Sequence, residues 1–471
     1  MKIARSGIGW LIAEYGTLGL SLLATMYFSR ALVDPDATLG LFAVFETVVS
    51  LVTVVTASGL GHALTKRVSE GTDQDAYVTA ATGLTLLFGV IAAVLVLLKP
   101  IRNVLQSALR GLSRVGTSGG LSFLEMLTRV SVQVPLVALG VGLLGLVSGA
   151  AIGMAVSTAA TLYLLPVGID RPNRSHLRSL FEFGKYSFFR GIAGRFYDNI
   201  DIIVIAYFLG QGSAGDYTVP FRLGLALAVF SGSISNATFP EISRHAAEEQ
   251  YERIERITTD GIVFSTLLAI PATVGLAVLA RPIIVTLFTE EFAQGAFVAV
   301  LAVAIQIPDG LRSVFTSGID GMDRPDLTLK ADGIIVGVNL VLDLLLVPTV
   351  GIVGAAAASL AAISCASLYL GYTLFSEFEL PARSFPIRPL AAEVVAALAM
   401  GGVVYWLRGV IDLGAVVRLL SVLPVASGTI DSLLRLAVLI SVGVVVYFAV
   451  LLTISGSVRR RVVGIAGDVL P

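Results

Sequence analysis

The chain has 471 residues, of which 56% are hydrophobic and only 14% charged, against about 25% charged in ordinary soluble domains. That balance excludes a soluble globular protein, and 32 Lys+Arg against 33 Asp+Glu leave no basic footprint for a nucleic-acid partner. The single cysteine, Cys365, and three scattered histidines, His62, His176 and His245, argue against a disulfide framework and against a metal site.

Apolar stretches near 20 residues, the length a helix needs to cross a bilayer core, recur from end to end. The chain therefore reads as an all-α polytopic membrane protein. Lys2 and Arg5 precede the first stretch, 8–32, which is too long for a signal-peptide core and reads as an uncleaved span. Further spans follow at 38–61, 76–98, 121–143, 146–168, 184–209, 215–239, 259–280, 295–319, 328–348, 352–375, 388–411 and 432–454. Lysine and arginine concentrate in cytoplasmic loops. Lys2 and Arg5, Lys66 and Arg67, the group Arg171, Arg174, Arg178 and Lys185, and the tail Arg459, Arg460 and Arg461 are thus assigned inside, which makes both termini cytoplasmic. The turns at Asp34 and Asp36, at 210–215 and at 348–351 are assigned outside. This alternation requires an even number of crossings between Arg67 and Arg171, where only three are evident. The missing one falls in "KPIRNVLQSALRGLSRV", Lys99–Val115, a short segment carrying Arg102, Arg110 and Arg114. It is either a polar helix lining a wet cavity or a region that has lost part of a span. The total becomes about 14 spans.

The chain repeats itself. "YFSRALVDPDATLGLFAV" (27–44) parallels "YFLGQGSAGDYTV" (207–219), "GLSR" (111–114) parallels "GMDR" (321–324), and "GLVSGAAIG" (145–153) parallels "GIVGAAAAS" (351–359), in the same order. Spans one to six thus recur as spans seven to twelve, with two extra helices at the C-terminus. Because six is even, the two bundles share one orientation and are pseudo-symmetric about an axis normal to the membrane. The expected organisation is an N-terminal bundle over 1–170 with a short fourth helix and a cytoplasmic linker over 171–183. A second bundle over 184–380 follows, then two further helices and a tail over 381–471. Gly351, Ala355 and Ser359 form a small-residue face, read as packing alone.

Ionisable residues at the centre of a span cost roughly 2.5–3.5 kcal/mol each on insertion scales, so those present are candidates for function. They are Glu14, Glu46, Glu125, Arg129, Arg190, Arg195, Asp198, Asp201, Arg222, Asp309, Arg312, Lys330, Asp332 and Asp343. Glu125 and Arg129, Asp309 and Arg312, and Arg195, Asp198 and Asp201 stand three or four apart, where helical residues are neighbours and opposite charges pair. The bland reading is that they are interfacial pairs. Yet arginines fall on helices of both halves, and an Arg-lined cavity suits phosphate oxygens. The cavity candidates are Arg129, Arg195, Asp198, Asp201, Arg222, Asp309, Arg312 and Lys330. The loop "PEISRHAAEEQYERIERITTDG" (240–261) is expected to lie on the cytoplasmic surface as an amphipathic helix. No phosphate-binding loop, metal cluster or catalytic acid/base pair is evident, so no cofactor and no enzymatic activity are expected.

"DIIVIAYFLGQGSAGDYTVPFRL" (201–223), with Asp201, Gly210, Gly215 and Tyr217, resembles the helix seven-to-eight signature of the polysaccharide-biosynthesis flippases. "TFPEISR" (238–244), "GMDRPDL" (321–327) and "LDLLLVPTVGIVGAAAAS" (342–359) are similar to further segments of that family. The resemblance covers most of residues 1–380 and departs from the family at Lys99–Val115, which looks shortened by about one span. It identifies the chain with the Wzx-like branch of the multidrug/oligosaccharidyl-lipid/polysaccharide (MOP) superfamily. It implies a MATE/MOP-like fold of two six-helix bundles facing one another, and translocation of lipid-linked glycans by alternating access.

The function expected on that basis is flipping of lipid-linked oligosaccharide or polysaccharide repeat units across the cytoplasmic membrane. The glycan head enters the Arg-lined cavity through its phosphate while the polyprenyl or dolichyl tail stays in lipid. The partners are that glycan lipid, membrane lipid and a coupling ion, H⁺ or Na⁺, and the chain is expected to be a monomer. Asp34-Pro35-Asp36, the acidic stretch at 72–75 and the scarcity of lysine hint at a salt-adapted archaeon and a dolichol-type carrier. A MATE-type multidrug/cation antiporter is the alternative and predicts an isolated, essential membrane acid. A glycan polymerase or ligase predicts a long outer loop with catalytic residues; the largest, Arg408–Asp431, is short and carries none.

Overall fold

The computed structural model describes residues 2–51, 94–112, 114–166, 173–248, 250–322, 324–377, 385–410, 427–456 and 459. Every regular element among them is helical. A lipid-embedded backbone has no water to bond and must satisfy its own N–H and C=O groups, which a helix does within one segment. The chain divides into two compact units, 1–218 and 219–471.

The first unit contains α1 (Lys2–Ala31), α2 (35–51), α3 (Val94–Gly111), α4 (Val115–Ala138), α5 (Leu143–Leu164) and α6 (Arg174–Leu209). The next helix, α7 (Gln211–Ala247), begins there and runs into the second unit. α4 packs against both α1 and α5, and α3 packs on α4 and α5. α6 starts from a capping box in which the Asn173 side chain accepts from the backbone of Ser175 and His176. Residues 174–183, expected as linker, are therefore the opening turns of this helix.

The segment Lys99–Val115 falls largely within a helix, α3. α3 has 18 residues, about 27 Å at helical rise, close to a full hydrocarbon core. Its described part runs from Val94 and so includes the apolar run "VLVLL", which the sequence reading places in the span 76–98. From Val104 to Leu109 the helix is buried all round, with Val104 and Ala108 fully inaccessible. It is absent from the eight helical stretches that are apolar enough to cross a membrane among the described residues, because Lys99, Arg102 and Arg110 lower its hydropathy. The full count of about 14 extends over 52–93 and 411–426, which lie outside the described residues.

The second unit continues with α8 (Tyr251–Thr266), α9 (Ala269–Leu287), a 3₁₀ turn at Glu290–Gly295, α10 (Ala296–Ala304) and α11 (Gln306–Gly321). It ends with α12 (Pro325–Val350), α13 (Ile352–Glu377), α14 (Ile387–Val410) and α15 (Ser427–Ile454). α12 and α13 form a hairpin, and α14 and α15 form another that packs on α9. The core between them is Val263, Leu267, Ile270, Leu279, Ala396, Met400, Tyr447 and their neighbours.

The expected surface helix over 240–261 is not a separate element. Its first half prolongs α7 to Ala247 and its second half opens α8 at Tyr251, which with α9 makes one 37-residue stretch. That is about 55 Å of helix, longer than a hydrocarbon core of about 30 Å.

The sequence repeat has a structural counterpart. α3–α4–α5 and α11–α12–α13 are both helix–turn–helix–turn–helix units whose first turn carries Arg114 or Arg324 just before the next helix. The second turn of each uses a glycine with positive φ, Gly142 at +59° and Gly351 at +77°, a backbone conformation that side chains disfavour. Gly351 therefore lies in the turn and not on the small-residue face. Gly354 makes the close approach instead: a Cβ there would stand 2.5 Å from the Leu346 carbonyl oxygen.

Candidate functional site

In the first unit three helices bring charge together inside the membrane-spanning part. Arg102 on α3 is ion-paired with Glu125 on α4, both with side chains about one-sixth exposed. Arg129, one turn further along α4, reaches Glu46 on α2 at 2.8 Å, and its guanidinium lies 5.1 Å from the centre of the Phe42 ring. The expected pairing of Glu125 with Arg129 along one helix is thus corrected. Each takes a partner on a different helix, because tertiary packing presents a better-placed opposite charge than the i, i+4 neighbour. Arg110 donates to Ser107 on its own helix. The Nε–H groups of Arg102 and Arg129 and the side-chain amide N–H of Gln106 are buried and have no acceptor among the described residues. This seam therefore combines neutralised charge with spare N–H donors. That suits a ligand rich in acceptor oxygens.

Glycines on α5 hold the seam in place. A Cβ on Gly149 would lie 2.9 Å from the Arg129 carbonyl oxygen, and one on Gly153 would lie 2.8 Å from the Glu125 carbonyl oxygen. α4 and α5 meet backbone to backbone at the two charged residues. Gln133, 1% exposed, donates to the Leu146 carbonyl across the same interface.

Asp201 on α6 is buried and accepts a hydrogen bond from the Tyr217 hydroxyl on α7. Arg195 and Asp198 lie on α6; their side chains are outside the described part. Beside this pair α2 and α7 cross at their N-terminal ends. A Cβ on Gly40 would fall 1.8 Å from the Gln211 carbonyl oxygen, and one on Gly215 would fall 2.1 Å from that of Asp36. These two glycines are equivalents in the sequence repeat, and each receives the other helix's first turn. In the preceding turn, a hydrogen bond to Asp36, and then repulsion from it, holds the exposed Asp34 carboxyl above its usual range.

In the second unit Arg312 pairs with Asp309 on α11 at 2.8 Å, the i, i+3 pair expected from spacing. Arg222 lies on α7 and is half-buried, and Lys330 is exposed on α12. Asp343 on α12 is fully buried, and Asn339, one turn away, donates to Ser359 on α13. Thr328 donates to Asp320 and closes the α11–α12 turn. The candidates thus divide by unit: Arg129 with Asp201 in the first, and Asp309 with Arg312, Arg222 and Lys330 in the second. Sequence reasoning passed over three groups. Arg102 and Arg110 were noticed only as charges in a doubtful segment. Glu393, alone in "LAAEVVAALAM", is fully buried on α14, and a single acid in a long apolar run was the signal for it.

The fold defines a class. The chain is structurally similar to lipid II flippase MurJ in an inward closed conformation, with a TM-score of 0.70 over 95% of this chain and 98% of that one at 16% identity. A MOP superfamily transporter from Pyrococcus furiosus aligns with a TM-score of 0.58 over 81% of this chain and 96% of that chain, also at 16% identity. This is the fold of a MOP superfamily transporter. At the sequence level, residues 119–296 match the family model described as polysaccharide biosynthesis protein. The probable low-salt glycan biosynthesis flippase Agl15 of Haloferax volcanii is 27% identical over 442 residues, 89% of this chain and 93% of that protein. The probable flippase AglR of the same organism is 25% identical over 75% of this chain and 71% of its own length. The chain thus has the fold of MOP superfamily transporters, and its sequence is similar to a polysaccharide biosynthesis family and to two probable flippases.

Proposed function

We propose that this chain is a flippase that carries lipid-linked oligosaccharide or polysaccharide repeat units across the cytoplasmic membrane, for assembly of surface glycans or glycoproteins. The observation that carries the reading is the Arg102–Glu125 and Arg129–Glu46 seam, with its spare N–H donors. A glycan lipid's phosphate offers several acceptor oxygens to such donors, and arginine forks match them. The polyprenyl or dolichyl tail stays in lipid while the head crosses. The chain acts as a transporter with no catalytic step, as a monomer, with both termini cytoplasmic.

Alternating access would be carried by the bundles over 1–170 and 184–380, with 171–183 joining them and 381–471 appended. Arg129, Arg195, Asp198, Asp201, Arg222, Asp309, Arg312 and Lys330 are assigned to the cavity, and Arg102 joins them on its geometry. The driving force is either an H⁺ or Na⁺ gradient acting on membrane acids such as Asp198 or Asp201, or downstream consumption of the product. The test is a deletion strain whose membrane lipids are extracted and labelled from each face. Lipid-linked glycan accumulating on the cytoplasmic face, with loss of surface glycan, supports the reading. Unchanged glycolipid together with sensitivity to cationic toxic compounds overturns it in favour of an antiporter.

A further inference from the structure

α9 carries two prolines, Pro271 and Pro282, 11 residues apart. Helical dihedrals run through Leu267 (φ −51°, ψ −38°) and Leu268 (φ −98°, ψ −30°), so α8 passes into α9 along one helical path. In such a path each carbonyl accepts from the N–H four residues on. Proline has no N–H, so the carbonyls of Leu267 and Val278 lose that donor, and a helix bends most readily at such points. The α14–α15 hairpin supplies a side-chain donor to each. The Tyr447 hydroxyl on α15 donates to the Leu267 carbonyl at 2.9 Å. Nη1 of Arg408 on α14 donates to the Val278 carbonyl at 2.8 Å.

The spacing of the prolines makes this double contact possible. Eleven residues are about three full turns, so the two carbonyls lie on one face of the helix, roughly 16 Å apart along its axis. Between the two contacts Gly401 of α14 lets the helices close, since a Cβ there would stand 2.6 Å from Cγ1 of Val274. The contacts differ in access. Tyr447 is 1% exposed, in an apolar cluster with Val263, Leu267, Met400 and Leu451. Arg408 is exposed, and its guanidinium lies 4.7 Å from the centre of the Tyr405 ring. Water competes for the Arg408 bond, as it does for any exposed hydrogen bond, and is kept from the Tyr447 bond.

We propose that the α14–α15 hairpin is a brace that sets the bend of α9: Tyr447 holds the bend point at Pro271, and Arg408 is a strap over the bend point at Pro282 that can open. With the strap closed, α9 keeps its line along the hairpin. When Arg408 leaves the Val278 carbonyl, that oxygen turns to water and the end of α9 swings at Pro282. The brace belongs to the helix pair that follows the repeated helices, and it does not depend on what is transported.

The experiment uses the full chain in lipid nanodiscs. Arg408→Leu removes the strap, and Pro282→Ala gives the Val278 carbonyl an N–H donor of its own, which makes the strap redundant. Amide exchange over 279–287 should rise about tenfold in Arg408→Leu, and by less than about twofold when the same substitution is made on Pro282→Ala. Spin labels at Arg256→Cys and Glu291→Cys, in a chain whose exposed Cys365 is replaced by Cys365→Ala, report the line of the helix. Their distance distribution should broaden in Arg408→Leu and narrow again when Pro282→Ala is added. The Tyr405 contact is lost alike in both backgrounds, so a role in packing alone gives equal effects in the two. Should Pro282→Ala not fold, Tyr447→Phe with and without Pro271→Ala carries the same comparison over 264–275. Equal effects of removing the donor in the two backgrounds, or a distance distribution indifferent to Arg408→Leu, would overturn the proposal.

Discussion

Arg129 holds three relationships at once: an ion pair with Glu46, the face of Phe42, and a backbone pressed against Gly153. Arg129→Lys keeps the charge but loses the planar fork, so it should retain fold and lose most transport, measured as glycolipid translocation in reconstituted vesicles. Arg102 and Glu125 supply a stability test. Glu125→Ala leaves a buried guanidinium without its carboxylate and should cost about 3–5 kcal/mol, read as a lower melting temperature in detergent. Arg102→Met combined with Glu125→Leu should recover most of that loss, because the desolvation penalty goes with both charges. The double variant should nevertheless fail to transport. Tyr217→Phe strips buried Asp201 of a hydroxyl donor and should cost about 1–3 kcal/mol, seen in the same melting assay.

At the scale of elements, glycines decide which helices can touch. Gly40 and Gly215 admit each other's opening turns within distances no Cβ tolerates. The obstructing atoms are backbone carbonyls, so no side-chain rotation relieves the clash. Gly40→Ala and Gly215→Ala should each destabilise by about 1–3 kcal/mol and slow transport, while Gly120→Ala, with nothing within 4 Å of its Cβ, should melt as wild type. The repeat was legible at this scale because its marks are local: Arg114 and Arg324 ahead of a helix, and Gly142 and Gly351 in turns of positive φ. The end of α7 and the start of α8 were not. Their mixed charges read as a surface helix, and the hydropathy of 240–261 carries no sign that the segment is divided between the end of one long helix and the start of another.

For the whole molecule, the transport reading makes topology a prediction. Fusions at the N-terminus and after Arg459 should report a cytoplasmic location, and a tag near Asp34 an external one. A flipped result at any of the three would reverse the direction in which glycan enters the cavity.

The sequence by itself determined the membrane class, the helical state of every described element and the repeated turns. Each follows from local physics: the length of an apolar run, the demand for internal hydrogen bonds, and the freedom of glycine at positive φ. It also isolated the residues that had to be explained, since charge in a span is expensive wherever it sits. Only the tertiary structure decided who answers that expense. Arg129 could pair with Glu125 on its own helix but takes Glu46 on α2, and Glu125 takes Arg102 on α3. Glu393 finds Thr266 far away in the chain. Such partners depend on where backbones cross and at what distance, which small residues such as Gly149 and Gly153 permit but no pairwise spacing specifies.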